Sequence, residues 1–284
     1  MASVQELVEV LELARVDDRH LVGDSVRMGP SPVVFGGQLL AQSIVAGASV
    51  DPTKYVASIH IIFARAAEFG VPLEFEVDVM AAGRAYASSS VTISQSGKIR
   101  ARSQVLLAAP EPDLIRHQAD APDVAPPIAG PPSGHGLDGW EVGIVDGVDI
   151  ADPDAIGPAE LDVWTRFVGA PDDPTINCAL LGYASDGFLI GTAMRPHAGV
   201  GQSMAHVSIS TTVNAHTLSF HEPVDASKWM LFSHEAPWSG RGRSHGRAQV
   251  FDEAGVLVAS FTQENMIRAF PDGAAPAAGS RAAH

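Results

Sequence analysis

Asp186 stands out among the residues that could do chemistry, because no other charged residue lies between Asp173 and Arg195. The run that contains it, residues 176–190, is otherwise apolar and helix-like. An unpaired ionised carboxylate is costly to bury, so we expect this one to be paired, hydrogen-bonded, protonated or beside a wet cavity. It could act as a general base or orient a water molecule. It could also cap its helix or pair with a nearby arginine.

Gln263 is a second candidate, because it follows the strand-like run Val256-Leu-Val-Ala-Ser260. Its amide could donate a hydrogen bond to a substrate oxygen or hold a water molecule. The alternative is an ordinary strand residue that faces solvent.

Phe35-Gly-Gly-Gln38 marks the start of a helix. The backbone N–H groups of Gly36 and Gly37 could bind an oxyanion or a phosphate there. A tight turn that needs glycine is the alternative.

The bulk composition excludes several classes of function. The 284 residues, 46% of them hydrophobic, suffice for one large domain or two ordinary ones. A net charge of −15 argues against nucleic acid or an anionic membrane as the partner. The single cysteine, Cys178, forbids an internal disulfide and favours a reducing cytoplasm. There is no His-Glu-x-x-His motif and no signal peptide or membrane-spanning run, so we expect no metal and no cofactor.

The elements expected to position these residues are three helices and a set of strands. Ser3 and Glu6 form a capping-box pattern that predicts a first helix, residues 39–50 predict a second, and the Asp186 run is a third that begins near Pro171-Asp-Asp-Pro174. From Ser58 onward the pattern predicts strands, most clearly at 73–79, where apolar and acidic residues alternate. Further strands are predicted at 85–93, 98–107, 161–168, 207–220, 229–234, 247–251 and 256–262.

Two features divide the chain. Seven prolines between Pro110 and Pro132 indicate a linker at 113–138, between domains at 1–112 and 139–270, with a disordered tail at 271–284. The two domains also repeat each other, which favours a duplication. The matching features, each pair separated by 157 positions, are Phe63 and Phe220, and Gly83-Arg84 and Gly240-Arg241.

A glycine-marked helix followed by antiparallel strands, present twice, resembles the double hotdog fold, an α+β architecture in which each half is a helix wrapped by a curved antiparallel sheet. The motifs resemble those of the type II acyl-CoA thioesterase family over nearly the whole chain outside the linker and the tail. These motifs are Phe35-Gly-Gly-Gln38, Leu181-Gly-Tyr-Ala-Ser-Asp186, Phe220-His221 with Pro223, and Gly255-Val-Leu-Val-Ala-Ser260 ending in Gln263-Glu264.

The resemblance implies hydrolysis of an acyl-CoA to a free acid and CoA by water that an Asp, a hydroxyl and a Gln orient. Asp186 and Gln263 fall on two of these positions, but Val213 falls on the hydroxyl position. In a regular strand Thr211 and Thr217 would share the face of Val213, with Thr211 about 7 Å away, so we take Thr211 as the candidate substitute.

The resemblance also implies a substrate-binding set. Arg241 belongs to a basic cluster with Arg243, His245 and Arg247 that could contact CoA phosphates, although a solvated loop is the alternative. The predicted substrate-binding residues are Gly36, Gly37, Gln38, Val213, His216 and Arg241.

Two other functions remain open at this level. A non-catalytic acyl-CoA or acyl-carrier binding protein would explain Val213. A hotdog enoyl-CoA hydratase is weaker, because it should carry a histidine soon after Asp186 and none occurs before His197. By analogy with hotdog proteins we expect a homo-oligomer with acyl-CoA as its partner, and neither nucleic acid nor membrane.

Overall fold

The computed structural model describes residues 2–29, 31–127 and 137–270. These residues form four α-helices, α1 (Val4–Leu11), α2 (Gly36–Ala48), α3 (Pro174–Ser185) and α4 (Leu189–Met194). They also form fourteen strands: β1 (Ala2–Ser3), β2 (Ala14–Arg15), β3 (His20–Gly23), β4 (Tyr55–Phe63), β5 (Leu73–Ala82), β6 (Tyr86–Gln95), β7 (Lys98–Ala108), β8 (Leu137–Asp138), β9 (Trp140–Ile144), β10 (Glu160–Phe167), β11 (Ile209–Phe220), β12 (Met230–Gly240), β13 (Arg243–Asp252) and β14 (Leu257–Ala269).

Twelve strands form one antiparallel sheet in the order β2-β3-β5-β6-β7-β4-β11-β14-β13-β12-β10-β9. The halves of the chain meet at its centre, where β4 pairs with β11 and Ile61 lies opposite His216. The strand order in one half mirrors that in the other. In the first half α2 packs against the sheet, while in the second α3 packs mainly against α2 and α4 packs against β12 and β13. The predicted α+β double hotdog fold is confirmed.

The halves share irregularities as well as strand order. A β-bulge interrupts β4 between Val56 and Ser58, and another interrupts β11 between Val213 and Ala215, 157 positions later. Bulges at equal places in two halves are inherited features of a fold rather than accidents of packing. The same offset relates the irregularities between Ile93 and Ser94 and between Val250 and Phe251.

The helix starts follow the local sequence signals. Ser3 caps α1, and Glu6 returns the hydrogen bond to complete the predicted capping box. Asp173 caps α3 by accepting from Ile176 N–H at 2.9 Å, with Pro174 at the first helical position. The third helix was expected to run through Asp186 to residue 190, but α3 ends at Ser185 and α4 is a separate helix.

Residues 113–127, part of the predicted linker, run along the C-terminal half. Trp164 Nε1 donates to the carbonyl of Ala125 at 2.9 Å, and Arg116 forms an ion pair with Glu222 at 2.6 Å. Residues 128–136 and the predicted tail, 271–284, lie outside the described residues. Within the described ranges, no helix is both long and apolar enough to cross a membrane.

Candidate active site

Asp186 follows the last residue of α3 and is half-buried, and its carboxyl group lies against the first turn of α2. The backbone N–H of Gly37 donates a hydrogen bond to that carboxyl group. A Cβ atom added to Gly36 would lie 2.7 Å from Oδ2 of Asp186, and one added to Gly37 would lie 3.1 Å from its Cβ. Neither glycine has a positive φ. The close approach of the end of α3, rather than a turn, therefore requires both glycines: the Asp186 carboxyl group lies against Gly36, and the Tyr183 carbonyl oxygen lies still closer to Gly37.

Aromatic packing holds the start of α2 against the end of α3. The ring of Phe35 meets the ring of Tyr183 edge to face, with 5.1 Å between their centroids. Tyr183 is buried and also packs against Trp140 and Phe167. The site therefore spans the chain, because the first half supplies a helix start and the second supplies the carboxyl group.

The protonation of Asp186 is set by its surroundings. Burial raises its pKa to about 7, and the hydrogen bond from Gly37 opposes part of that rise. The positive end of the α2 dipole acts in the same direction as that hydrogen bond. A carboxyl group whose pKa lies near neutrality can both accept and release a proton at pH 7, as a general base must.

Gln263 links the end of α3 to the sheet through its amide nitrogen. Its Nε2 donates to the carbonyl of Ser185 at 3.1 Å, and lies 3.4 Å from Oδ1 of Asp186 and 3.0 Å from Nδ1 of His216. The Ser185 hydroxyl donates to the carbonyl of Gly182 at 2.8 Å and lies 3.1 Å from Nε2 of His216. Because the hydroxyl proton is used, Nε2 must carry the ring proton of His216, and Nδ1 accepts from Gln263.

His216 is held in its neutral form. Burial, and then the charge of His60, lower the pKa of His216 to about 3. Its ring stacks on Phe261, with 5.2 Å between the centroids. Both of its nitrogens are engaged by protein groups, so His216 orients Gln263 instead of making the substrate contact that was expected of it.

The helix breaks directly after Asp186. Phe188 has a φ of 67°, a conformation that bulky residues rarely adopt. Its ring is buried, with its centroid 5.8 Å from that of His234. Such strain persists only where the surroundings hold it, and it often marks a functional site. Here it turns the chain away and leaves the Asp186 carboxyl group at the end of α3.

Val213 lies on the inner face of β11, directly opposite Asn265. The bulge at Asn214 adds one residue, so Val213 and His216 share a face although they are three positions apart. The expectation of a regular strand was wrong here, because the extra residue reverses the alternation of side chains.

Neither of the two threonines expected on the face of Val213 is placed to share a water molecule with Gln263. Thr211 is buried on the inner face but lies opposite Ile267, four residues beyond Gln263 along β14. Four strand residues span about 13 Å, so Thr211 and Gln263 are too far apart to hold one water molecule. Thr217 does not share the face of Val213, because the bulge puts it on the other side, where its Oγ1 lies 2.8 Å from Nδ1 of His60.

Gln38 is fully engaged elsewhere in the protein. Its Oε1 accepts from the Val26 N–H at 2.9 Å, and its Nε2 donates to Asp24 O and Gln42 Oε1, both at 3.2 Å. The amide ties the preceding loop to α2 and is not free for the predicted substrate contact.

The basic cluster borders the turn between β12 and β13. Arg241 is exposed at this turn, while the other members alternate with buried residues and so lie on the outer face of the sheet. These members contact carboxylates: Arg243 and His245 contact Glu264 at 3.9 and 2.7 Å, and Arg247 contacts Glu235 at 2.7 Å. Arg241 is therefore the member of the cluster that lies in the turn between β12 and β13 instead of on the outer face of the sheet.

Residues 242–246 read Gly-Arg-Ser-His-Gly and so fit the Gly-x-Ser-x-Gly pattern of a nucleophile elbow. An elbow presents its serine on a sharp turn between a strand and a helix. Ser244 instead lies near the start of β13, faces inward and is buried. The pattern therefore does not indicate a serine hydrolase.

Three buried polar residues near the site were not predicted from the sequence: Ser185, Asn265 and Ser244. Ser185 lies in the recognised motif, but its contact with the sheet has no local signal. Asn265 lies two residues after Gln263, and strand alternation places both on one face, which was an available signal. Ser244 could not be found in this way, because its place beside Asn265 depends on the register of β13 and β14.

Known proteins resemble this chain over both halves. Residues 25–108 match the family model described as the acyl-CoA thioesterase N-terminal domain, and residues 118–267 match that of the C-terminal domain. Acyl-coenzyme A thioesterase 8 of Mus musculus is 30% identical, over 93% of this chain and 89% of the mouse protein. Acyl-CoA thioesterase 2 of Haemophilus influenzae is 26% identical, over 93% of this chain and 98% of that protein.

A solved structure of an acyl-CoA thioesterase is also similar to this chain. Acyl-CoA thioesterase II TesB2 from Mycobacterium marinum has a TM-score of 0.79 and 26% identity, covering 95% of this chain and 100% of that one. The fold and the carboxyl group at the end of α3 thus define a double-hotdog protein of the thioesterase type. The chain belongs to the type II acyl-CoA thioesterase family. It is a thioester hydrolase, and the resemblance found in its motifs is confirmed.

Proposed function

We propose that Asp186 and Gln263 hold the water molecule that attacks the thioester carbonyl carbon of an acyl-CoA. The observation that carries this proposal is the Asp186 carboxyl group itself. It lies between the two halves of the chain, burial raises its pKa to about 7, and the Gln263 amide is 3.4 Å away. A base with this pKa is matched to proton transfer at neutral pH.

In this mechanism Asp186 accepts one proton from water while the water oxygen bonds to the carbonyl carbon. The carbonyl oxygen gains negative charge, and the charge returns to re-form the carbonyl as the carbon–sulfur bond breaks. CoA leaves as a thiolate and takes the proton from the Asp186 carboxylic acid. The products are a free acid and CoA, and Asp186 is again a carboxylate.

Gln263 is suited to fixing the position of the water. Its nitrogen is engaged by His216 and Ser185, while its Oε1 has no hydrogen-bond partner among the described residues. A buried amide oxygen of this kind can accept a hydrogen bond from a water molecule without disturbing the rest of the network.

Steady-state hydrolysis of acyl-CoAs of increasing chain length tests the proposal. We expect turnover by the unchanged protein and a loss of at least about 100-fold in kcat for both Asp186→Asn and Gln263→Leu. Glu264→Gln is the matched control, since Glu264 is adjacent to Gln263 but lies on the other face, beside His245. Absence of turnover on every acyl-CoA would overturn the proposal.

A non-catalytic acyl-CoA or acyl-carrier binding protein is the alternative that Val213 suggests, because a valine cannot orient water, but the family membership of the chain opposes it. Calorimetric titration with an acyl-CoA separates the two functions. Tight binding without release of free thiol would support the binding protein, whereas release of CoA during the titration would support the enzyme.

We also infer a cytoplasmic homo-oligomer. The single cysteine suits a reducing compartment. Large apolar side chains at Val79, Met80 and Tyr86, on the neighbouring strands β5 and β6, are 56, 53 and 60% exposed, and a second copy would cover them. Light scattering that gave the mass of one 29.7 kDa chain would contradict the oligomer.

A further inference from the structure

Asn265 is a buried polar residue beside the proposed site. It is fully buried on the inner face of β14, opposite Val213 on one neighbouring strand and Ser244 on the other. Its Nδ2 lies 3.4 Å from the Ser244 hydroxyl oxygen, and its Oδ1 has no hydrogen-bond partner among the described residues. Such a group is costly to bury unless something other than the protein satisfies it.

The direction of α3 brings Asp186 toward Asn265. A Cβ on Gly182 would lie 3.6 Å from Leu218, and Ser185, one turn later, contacts His216. The helix thus runs along β11 from position 218 to position 216, in the direction of the bulge. Asp186 follows at its end, 3.4 Å from the amide of Gln263, and Asn265 lies two residues beyond Gln263 on the same face of β14.

The duplication shows that the fold does not need polar residues here. The bulges align the two halves, so the four buried polar residues on the strands of the site, His216, Ser244, Gln263 and Asn265, each have an equivalent 157 or 158 positions earlier. All of the equivalents are apolar and buried. The pairs are Ile59 and His216, Ala87 and Ser244, Val105 and Gln263, and Leu107 and Asn265.

The same backbone geometry is therefore packed once with Leu107 against Ala87 and once with Asn265 against Ser244. An apolar pair would avoid the cost of burying two polar groups, which is about 1 to 3 kcal/mol for each unsatisfied group. Their presence only in the half that carries Gln263 indicates a role in chemistry.

We propose that the Oδ1 of Asn265 accepts a hydrogen bond from the attacking water and so takes the place of the hydroxyl that Val213 lacks. This inference rests on the proposed hydrolysis. The water gives one proton to Asp186 and keeps a lone pair for the carbonyl carbon, while its other hydrogen is shared between the two unpartnered amide oxygens, Oε1 of Gln263 and Oδ1 of Asn265. Ser244 is a positioning residue, because its hydroxyl oxygen holds Nδ2 and thereby fixes which end of the amide faces the water.

The most decisive variant replaces both residues by their equivalents in the first half, Leu107 and Ala87. It combines Asn265→Leu with Ser244→Ala. We expect kcat to fall at least about tenfold with KM changed less than about threefold, while the melting temperature is unchanged or higher. A purely structural role predicts the opposite, a lower melting temperature with little effect on kcat. Ser89→Ala, which removes another buried hydroxyl from the first half, is the control.

Val213→Thr provides a second and independent readout. If the threonine hydroxyl and the Asn265 amide serve one water, Val213→Thr should raise kcat by a larger factor in the double variant, Asn265→Leu with Ser244→Ala, than in the otherwise unchanged chain. Equal factors in the two backgrounds would overturn the shared role.

Failure of this inference is distinguishable from failure of the proposed function. If the unchanged chain hydrolyses acyl-CoA and Asp186→Asn abolishes the activity, but the double variant keeps its kcat, only the role of Asn265 is refuted. If the unchanged chain has no turnover, the hydrolysis mechanism itself is refuted, and the role of Asn265 is refuted with it.

Discussion

Asp186→Asn should stabilise the folded protein while it abolishes turnover, and the stabilisation should grow as the pH rises. The folded state holds the proton of Asp186 up to a pH of about 7, because its pKa is about 7 there, whereas the unfolded chain releases it near 3.8. Below pH 3.8 the carboxyl group therefore does not change the free energy of unfolding. Above that pH it lowers the free energy of unfolding increasingly, and the full reduction is reached above pH 7.

The magnitude follows from the two pKa values. Proton linkage gives a cost of about 2 kcal/mol at pH 5 and about 4 kcal/mol at pH 8. Asp186 is only half-buried, so solvent screening makes these figures upper bounds. Asparagine has nearly the same shape and no charge, so the variant should gain about 1 to 3 kcal/mol more at pH 8 than at pH 5.

Urea unfolding of both proteins at pH 5 and pH 8 measures this difference. Both proteins share the other titrating groups, so the effects of those groups cancel when the free energy of unfolding of the unchanged chain is subtracted from that of the variant. A stabilisation that is the same at both pH values would refute the burial of the carboxyl group. A destabilised variant would refute it as well, because it would mean that the folded protein needs the charge.

Other consequences of the structure can be tested in parallel. The pH profile of kcat/KM should rise to a plateau with an apparent pKa near 7, and a profile flat between pH 5 and 9 would argue against Asp186 as the base. Gly36→Ala should lower kcat at least about tenfold, since its Cβ would meet the Asp186 carboxylate, whereas the exposed Gly70→Ala variant should not. Arg241→Ala should raise KM for acyl-CoA more than for a short thioester without phosphates; an equal rise for both would exclude a phosphate contact. Ser3→Ala should lower the free energy of unfolding by about 1 kcal/mol through loss of the α1 cap, measured by urea titration, and no change would mean that the capping box is not stabilising.

Local signals in the sequence predicted the features that depend on neighbours along the chain. The capping box at Ser3, the cap and proline at the start of α3, and the offset of 157 between Phe63 and Phe220 all correspond to structure. Asp186 could be singled out because a charge in an apolar run is costly in any fold.

The remaining features depend on contacts that a single sequence does not display. The bulge at Asn214 has no residue-type signal, so the alternation in β11 was read through it and Thr217 was assigned to the wrong face. The positive φ of Phe188 is imposed by packing and is contrary to its residue type. The sequence left the basic cluster open between a phosphate contact and a solvated loop, because the carboxylates of Glu235 and Glu264 approach it only after the strands have paired.

The seam between β4 and β11 has a consequence for synthesis on the ribosome. Until β11 has been made, β4 is an open edge strand, and an open edge can pair with another chain. The two strands end at Phe63 and Phe220, so at translation rates of about 5 to 20 residues per second the edge stays uncovered for about 8 to 30 s. Nascent chains on one messenger are most exposed to mispairing during that interval, and a ribosome stall within it should increase the aggregated fraction.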